Sequence, residues 1–331
     1  MQKRILITGS EGFIGSHVVE LMLSKGYSVN AFINYNFLNN RGHLQKIKKN
    51  KRIKYFFGDI RDEKTVDTSM KNCDVVLNLA ALIGIPYSYD APSSYISTNI
   101  NGTLNLLNYS LKHKIKRFIH TSTSEVYGSA QFVPITEKHP LVGQSPYSAS
   151  KIGADQLVTS FNKSFDLNTI ILRPFNTFGP RQSLRAVIPT IIAQAINGKK
   201  IKIGNLSTRR DFTFVDDTAI AFYKAIICNS RAFGQTFNLG TGYDVSIKDI
   251  IMMVEKILNK KLIIELDKKR IRPSKSEVLR LLSDNTLAKK ILKWSPQYSK
   301  KKGFEKGLIK TIEYIKKDIL NYKQDNKDYI K

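Results

Sequence analysis

The sequence predicts an α/β chain: a doubly wound parallel sheet with a smaller C-terminal lobe. Three observations predict it. Short apolar runs that suit buried strands alternate with longer stretches of helical period as far as Arg173. The first run, Lys3-Arg-Ile-Leu-Ile-Thr8, passes straight into Gly9-Ser-Glu-Gly12-Phe-Ile-Gly15 and then into a helical stretch from His17 to Ser24. After about Pro180 the rhythm changes to shorter strands and helices, with cations on the loops between them. The expected division is 1–180 for the sheet domain, 181–320 for a lobe partly interleaved with it, and 321–331 for a polar tail.

Taken in order, strand, glycine turn, helix and the second strand Tyr27–Ile33 form the context of a Rossmann-type dinucleotide site. Gly9 permits the tight turn, Gly12 lets a pyrophosphate approach the backbone, and Gly15 allows close packing of helix on strand. Phe13 and Ile14 complete the turn, and the phosphates meet the helix N-terminus. One expected feature is missing. The second strand ends Phe32-Ile-Asn-Tyr-Asn36, with no acid for the adenosine ribose. Asn34 or Asn36 can bond a ribose hydroxyl, whereas Arg41 suits a 2′-phosphate. NAD is favoured, and NADP stays open.

Further strands are expected at Ile53–Phe57, Val75–Leu79, Phe118–Thr121 and Thr169–Arg173. Helices are expected at Glu63–Met70, Pro92–Lys112 and Pro146–Ser164. Asp59-Ile60 follows a strand, where the acid can accept from an adenine amino group. Asn78-Leu79-Ala80-Ala81 ends the next strand, where small residues let a cofactor lie against backbone. Asn99 is either a cofactor contact or a loop brace. In the second lobe a helix is expected at Val187–Gly198, a strand at Ile201–Ile203, and helices at Thr218–Cys228 and Ile247–Leu258.

Composition narrows the function. No run of 18 apolar residues exists among the 331, so no membrane span is expected, and Ile5-Leu-Ile7 is too short for a signal peptide. A cytoplasmic protein is expected. Cys73 and Cys228 show no metal or redox spacing, and neither do the five histidines, so no metal is expected. The net charge of +26 raises nucleic acid as a partner, but the lysines are spread along the chain without interleaved aromatics. No nucleic-acid partner is expected; an anionic substrate would be attracted.

The chemistry centres on Ser145-Pro-Tyr-Ser-Ala-Ser-Lys151 and Thr123-Ser-Glu125. Ser145 and Pro146 suit a helix start, which sets Tyr147 and Lys151 one turn apart on one face. A free tyrosine titrates near ~10, so work as a base near neutrality needs roughly 3 units, or about 4 kcal/mol, from Lys151 and a cationic ring. The same spacing at Tyr298 and Lys302, in a lysine-rich stretch, is read as chance.

With these motifs and Arg173-Pro-Phe-Asn176 in place, the chain resembles the extended short-chain dehydrogenase/reductases from Lys3 to about Pro296. Within them it is similar to nucleotide-sugar 4,6-dehydratases. Ala81-Leu-Ile-Gly-Ile-Pro-Tyr-Ser-Tyr89 and Ser122-Thr-Ser-Glu-Val-Tyr127 resemble the branch that serves legionaminic-acid biosynthesis on a nucleotide-linked N-acetylglucosamine. Arg272-Pro-Ser-Lys-Ser-Glu-Val278 is similar to GDP-mannose 4,6-dehydratases. The resemblance implies that Thr123, Tyr147 and Lys151 act at the sugar 4-hydroxyl, with Glu125 as base. Ser124 stands where dTDP-glucose dehydratases carry an aspartate and GDP-mannose dehydratases a serine, which argues against dTDP-glucose as substrate; GDP is favoured over UDP. Asn176, Arg185, Val187, Arg210 and Arg272 form the expected substrate set, with Arg210 and Arg272 as the two guanidinium forks that can grip a diphosphate. The resemblance also implies a homodimer through the Tyr147 helix and the Pro92–Lys112 helix, with Leu157 and Phe161 as apolar contacts.

Three rivals remain at this stage. A UDP-glucuronate decarboxylase would use Arg181 or Arg185 near C5. A 4-epimerase would need no second base. A non-catalytic dinucleotide- or nucleic-acid-binding protein would not need the Thr–Tyr–Lys set.

Overall fold

The computed structural model describes residues 3–267, 278 and 280–318. β1 is Arg4–Thr8, β2 Ser28–Asn34, β3 Ile53–Gly58, β4 Val75–Asn78, β5 Arg117–Thr121 and β6 Thr169–Pro174; a seventh strand is Gln235–Leu239. All are parallel, in the spatial order seventh, β6, β5, β4, β1, β2, β3. The winding therefore reverses between β1 and β4, which is where a doubly wound sheet opens a crevice for a ligand.

The two-residue period of β1 divides the core. Ile5 and Ile7 face α1 (Phe13–Ser24) and the helix Val215–Ile227, meeting Val18, Met22 and Phe222. Leu6 faces the other way, toward Met70, Leu107, Val158 and Phe161 from the helices Glu63–Met70, Gly102–Lys112 and Pro146–Phe165. Each such side chain, fully buried, is worth about 1.5–3 kcal/mol. Phe161 is thus spent inside its own chain, and the expectation that it serves a dimer contact is corrected. The stretch expected as one helix over Pro92–Lys112 has three parts. Pro92–Tyr95 and Gly102–Lys112 are α-helical, and Ile96–Asn101 between them is a π-helical turn.

The second lobe packs the helices Val187–Asn197, Ile247–Leu258 and Lys300–Lys317 around Ile191, Phe214, Ile250 and Phe304. Lys300–Lys317 corrects the reading of that region as a lysine-rich tail: Phe304, Leu308, Ile312 and Ile315 form one buried face between the lysines. Tyr298 packs against Phe214, and its hydroxyl accepts from Lys310, not Lys302. Small strands complete the lobe: Lys200–Ile203 with Ile263–Leu266, and Arg209–Asp211 between Asp244–Ser246 and Arg280–Leu281. The Gln235–Leu239 strand crosses back from this half of the chain to close the edge of the main sheet beside β6. Among the described residues, no helix is long and apolar enough to cross a membrane.

Candidate functional site

The crevice is braced at the switch point. The buried Thr8 hydroxyl donates to Asn78 Oδ1 (2.9 Å) and accepts from the backbone N–H of Leu79 and Ala80 (both 3.1 Å), tying β1 to β4. Ala81 continues that tip, half-buried. Gly9 has φ +62°, and an added Cβ there would stand 3.0 Å from Ala80 backbone. At Gly15 a Cβ would stand 2.1 Å from Gly9 O, so helix and turn meet at backbone distance. Gly12 N-caps α1 with no side-chain cap, leaving the N–H groups of the first turn to a ligand. Phe13 and Ile14 turn instead toward the second lobe's apolar cluster. The glycine cradle fits a dinucleotide.

Around the adenosine end the expected residues diverge. Asp59 is engaged by Arg61, whose Nη2 donates to Oδ2 at 2.6 Å and holds the carboxyl below its usual range. Ile60 is buried against Gly102. Arg41 lies over the Tyr55 ring at 4.9 Å. The Asn36 side chain is occupied by Asn34 and Asn40 of its own loop. Asn34 is exposed, and its N–H donates to Glu11 Oε1 (2.9 Å), a carboxylate the sequence reading passed over. Asn99, on the π-helical turn, bonds Leu82 N (2.9 Å), Leu82 O (3.0 Å) and Ser150 Oγ (2.9 Å). It braces the loop after β4 against the Tyr147 helix.

That helix starts with a capping box. Ser145 Oγ accepts from Ser148 N (3.1 Å), Ser148 Oγ accepts from Ser145 N (3.0 Å), and Pro146 fills the first turn. Tyr147 and Lys151 then face inward, 7% and 3% exposed. Thr123 caps a short 3₁₀ turn, Ser124–Tyr127, and its Oγ1 accepts from Glu125 N at 3.2 Å. The same hydroxyl acts on the Tyr147 phenol. Burial raises the phenol's pKa, Thr123 lowers it, and the charge of Glu125 raises it again. Lys151 Nζ donates to Thr121 O (2.7 Å) and lies 3.4 Å from His120 Nε2, while burial pulls its own pKa down to about 8. Within the chain the nearer hydrogen-bond partner of the Lys151 ammonium is thus a backbone carbonyl. Ser124 is buried, while Glu125 lines a cleft with Ile85, Tyr89, Gln144, Ser145, Ser148 and Val278.

Beneath the pair lies a charge network that the sequence reading did not assemble. Asp155, one turn beyond Lys151, accepts at Oδ2 from Arg173 Nη2 (2.9 Å), Arg173 Nε (3.2 Å) and Ser122 Oγ (2.8 Å). His120 is held well below its usual pKa by burial and by the charges of Lys151 and Arg173. Asn78 Oδ1 is taken by Thr8, so its amide donates to His120 Nδ1 (3.2 Å). Nε2 of the neutral ring lies between Lys151 Nζ at 3.4 Å and Asp155 Oδ1 at 3.6 Å.

Of the residues expected to hold substrate, Asn176 has its Oδ1 buried with no hydrogen-bond partner among the described residues. Arg210 is 7% exposed on the Arg209–Asp211 strand and donates to Arg209 O (3.0 Å). Arg185 is exposed just before Val187, which opens its helix, and its charge lowers the pKa of Tyr95. Tyr95, another residue missed in the sequence, packs edge-on against Tyr147 at 6.2 Å. Arg181, a cation offered to the decarboxylase reading, instead binds Glu20 (2.7 Å) and Ser16 (3.1 Å) of α1. Arg272 lies outside the described residues.

A doubly wound sheet with a helix-borne tyrosine and lysine beside its switch point defines a class, the extended short-chain dehydrogenase/reductases. A family model described as GDP-mannose 4,6 dehydratase matches residues 6–307, and the chain belongs to that family. The low-salt glycan biosynthesis protein Agl12 of Haloferax volcanii is 34% identical over 312 residues, covering 94% of this chain and 97% of that protein. Among solved structures, UDP-glucuronic acid 4-epimerase from Bacillus cereus, in complex with UDP-glucuronic acid and NAD, has a TM-score of 0.86 at 30% identity, covering 95% of this chain and 99% of that one. DesIV, the dTDP-glucose 4,6-dehydratase of Streptomyces venezuelae with NAD bound, has a TM-score of 0.85 at 26% identity, covering 95% and 97%.

Proposed function

We propose that the protein is an NAD-dependent nucleotide-sugar 4,6-dehydratase acting in the cytoplasm, with GDP-N-acetylglucosamine favoured over the UDP form as substrate. The observation that carries this reading is the shared position of Glu125 and Tyr147: the carboxylate lines the cleft and its charge acts on the phenol. A second base beside the tyrosine is needed only where a C–H bond is broken besides the one that gives hydride, as in elimination. Ser124 in place of an acid, and the family match, support GDP as the nucleotide.

When bound at the glycine turn, the dinucleotide supplies reversible hydride acceptance and is regenerated within the cycle. Thr123 orients the sugar 4-hydroxyl, and Tyr147 takes its proton as C4 becomes a ketone. The ketone acidifies the C5 proton, which Glu125 removes. The C6 hydroxyl leaves as water, protonated by Glu125 or through Ser124. Reduction at C6 and return of a proton to C5, balanced by the one Tyr147 took up, give the 4-keto-6-deoxy sugar. Arg210, Arg185 and Arg272 hold the diphosphate, and Asn176, with its unmatched acceptor, meets a sugar hydroxyl. Val187 lines the nucleotide end. A homodimer forms through outward faces of the Tyr147 helix and the 92–112 segment, where Ile96 is 52% exposed; sedimentation at the mass of one chain would remove it.

Mass spectrometry after incubation with GDP- and UDP-N-acetylglucosamine tests the reading. Loss of water is expected; an unchanged mass with an inverted C4 marks an epimerase. Glu125→Gln should cut water loss by about 10²-fold or more while still allowing cofactor reduction, seen as absorbance of the reduced nicotinamide. Tyr147→Phe should stop both. Persistence of both steps in either variant sinks the assignment of that residue.

A further inference from the structure

We propose that Glu11, on the glycine turn, supplies the acid missing from the end of β2, binding the adenosine ribose and selecting NAD over NADP. The inference rests on the dinucleotide reading above and assigns a residue within it.

β2 ends at Asn34 without a carboxylate, yet a carboxylate stands there. Asn34 N–H donates to Glu11 Oε1 at 2.9 Å. The side chain comes from the turn between Gly9 and Gly12 and reaches across to the strand tip where a doubly wound sheet presents a ribose-binding acid. The chain after β2 is built against it: His43 N–H donates to Glu11 O (3.2 Å), and a Cβ on Gly42 would lie 3.0 Å from Glu11 Cβ. The second oxygen, Oε2, is buried with no donor among the described residues. Burial raises the carboxyl's pKa; only backbone N–H groups oppose this, and no cation is among the causes. An acceptor left in that state carries an uncompensated desolvation cost, which a ribose hydroxyl would relieve. The loop that follows, from Tyr35 to Asn40, is largely exposed and bonded mainly within itself, so it can give way to a ligand.

A 2′-phosphate at the same place would meet an anion. The nearest candidate to neutralise it, Arg41, is stacked on Tyr55 and lines a hollow with Lys48 and Lys49. The site thus offers an acceptor to a diol and repulsion to a phosphate monoester.

The test is equilibrium binding of NAD and NADP to the full chain by titration calorimetry, with ligand-induced shift of Tm as a second readout. The wild type is expected to favour NAD by about 100-fold, and Glu11→Gln to reduce that ratio at least about tenfold, mainly by weakening NAD. Glutamine keeps an oxygen for Asn34 N–H, so a merely structural role would leave the ratio unchanged, and an unchanged ratio overturns the proposal. Glu11→Gln combined with Asn34→Asp returns the acid to β2 and should restore the preference; failure to restore it in a folded double variant also counts against Glu11. A wild type that binds neither dinucleotide would instead sink the cofactor reading itself.

Discussion

Two buried aspartates, one in each lobe, are kept in different ways. Asp155, under the Tyr147–Lys151 pair, meets a cation: Arg173 delivers two N–H groups to one of its oxygens. Asp211, in the smaller lobe, meets no cation among the described residues. Its oxygens accept from Thr241 N (2.8 Å), Thr241 Oγ1 (2.6 Å), Gly242 N (2.9 Å) and Ser283 N (3.2 Å). Even with these four donors, burial pushes its pKa up to about 6. The contrast teaches that neutral dipoles can place a carboxylate without fully offsetting its desolvation, whereas an opposite charge next to it ties two lost hydrations together. The first arrangement clips loops; the second makes a unit that fails as a whole.

The largest expected effect comes from breaking that unit. Asp155→Ala leaves Arg173 buried and unmatched, and should cost about 3–5 kcal/mol in denaturant unfolding. Adding Arg173→Met should recover most of the loss; if the two costs simply add, the pair is not coupled. Asp211→Asn comes next, at about 1–3 kcal/mol, because the amide NH₂ faces a backbone N–H. This substitution also sharpens the comparison through pH. The folded-state pKa of Asp211 lies above the ordinary carboxylate value, so its contribution is complete below about pH 4 and is lost as pH rises through about 6. The wild type should lose on the order of 2 kcal/mol relative to Asp211→Asn across that window; parallel profiles would show that the carboxyl stays ionised. The smallest effect on stability belongs to Lys151. Its folded pKa, about 8, is below that of a free lysine, so burial penalises the charged form, and stability from this group rises with pH between about 8 and 10.5. Lys151→Met should therefore hold or raise Tm while cutting turnover by about 10²-fold or more. A loss beyond about 2 kcal/mol would instead make the ammonium part of the structural unit.

What could be read from the sequence was local. Gly9-Ser-Glu-Gly12-Phe-Ile-Gly15 follows a strand and opens a helix, and Ser145-Pro146 marks a helix start; each signal lies within a few neighbouring residues. What escaped depends on distant parts meeting. Glu11 reads as a solvated turn residue until β2 arrives beside it. Asp155, Arg173 and His120 come from a helix and two strands, and no spacing connects them. The helix Lys300–Lys317 did carry its signal, apolar residues three to four apart from Phe304 to Ile315, but the lysines between them masked it. Lys151 shows the limit of spacing most plainly: four residues from Tyr147 fixed its face, while the carbonyl of Thr121 decided where its ammonium points.

The Gln235–Leu239 strand has a consequence for how the chain is made. A ribosome delivers β6 well before the segment that pairs with it, more than sixty residues further on. Until that segment emerges, the nascent sheet carries an open hydrogen-bonding edge beside Ile170 and Leu172. A fragment released after the dinucleotide half would keep that edge bare and should be prone to stick to its own kind. The second lobe's part of the chain is thus also the seal on the first half, and neither should be obtainable as an independent piece by cutting between them.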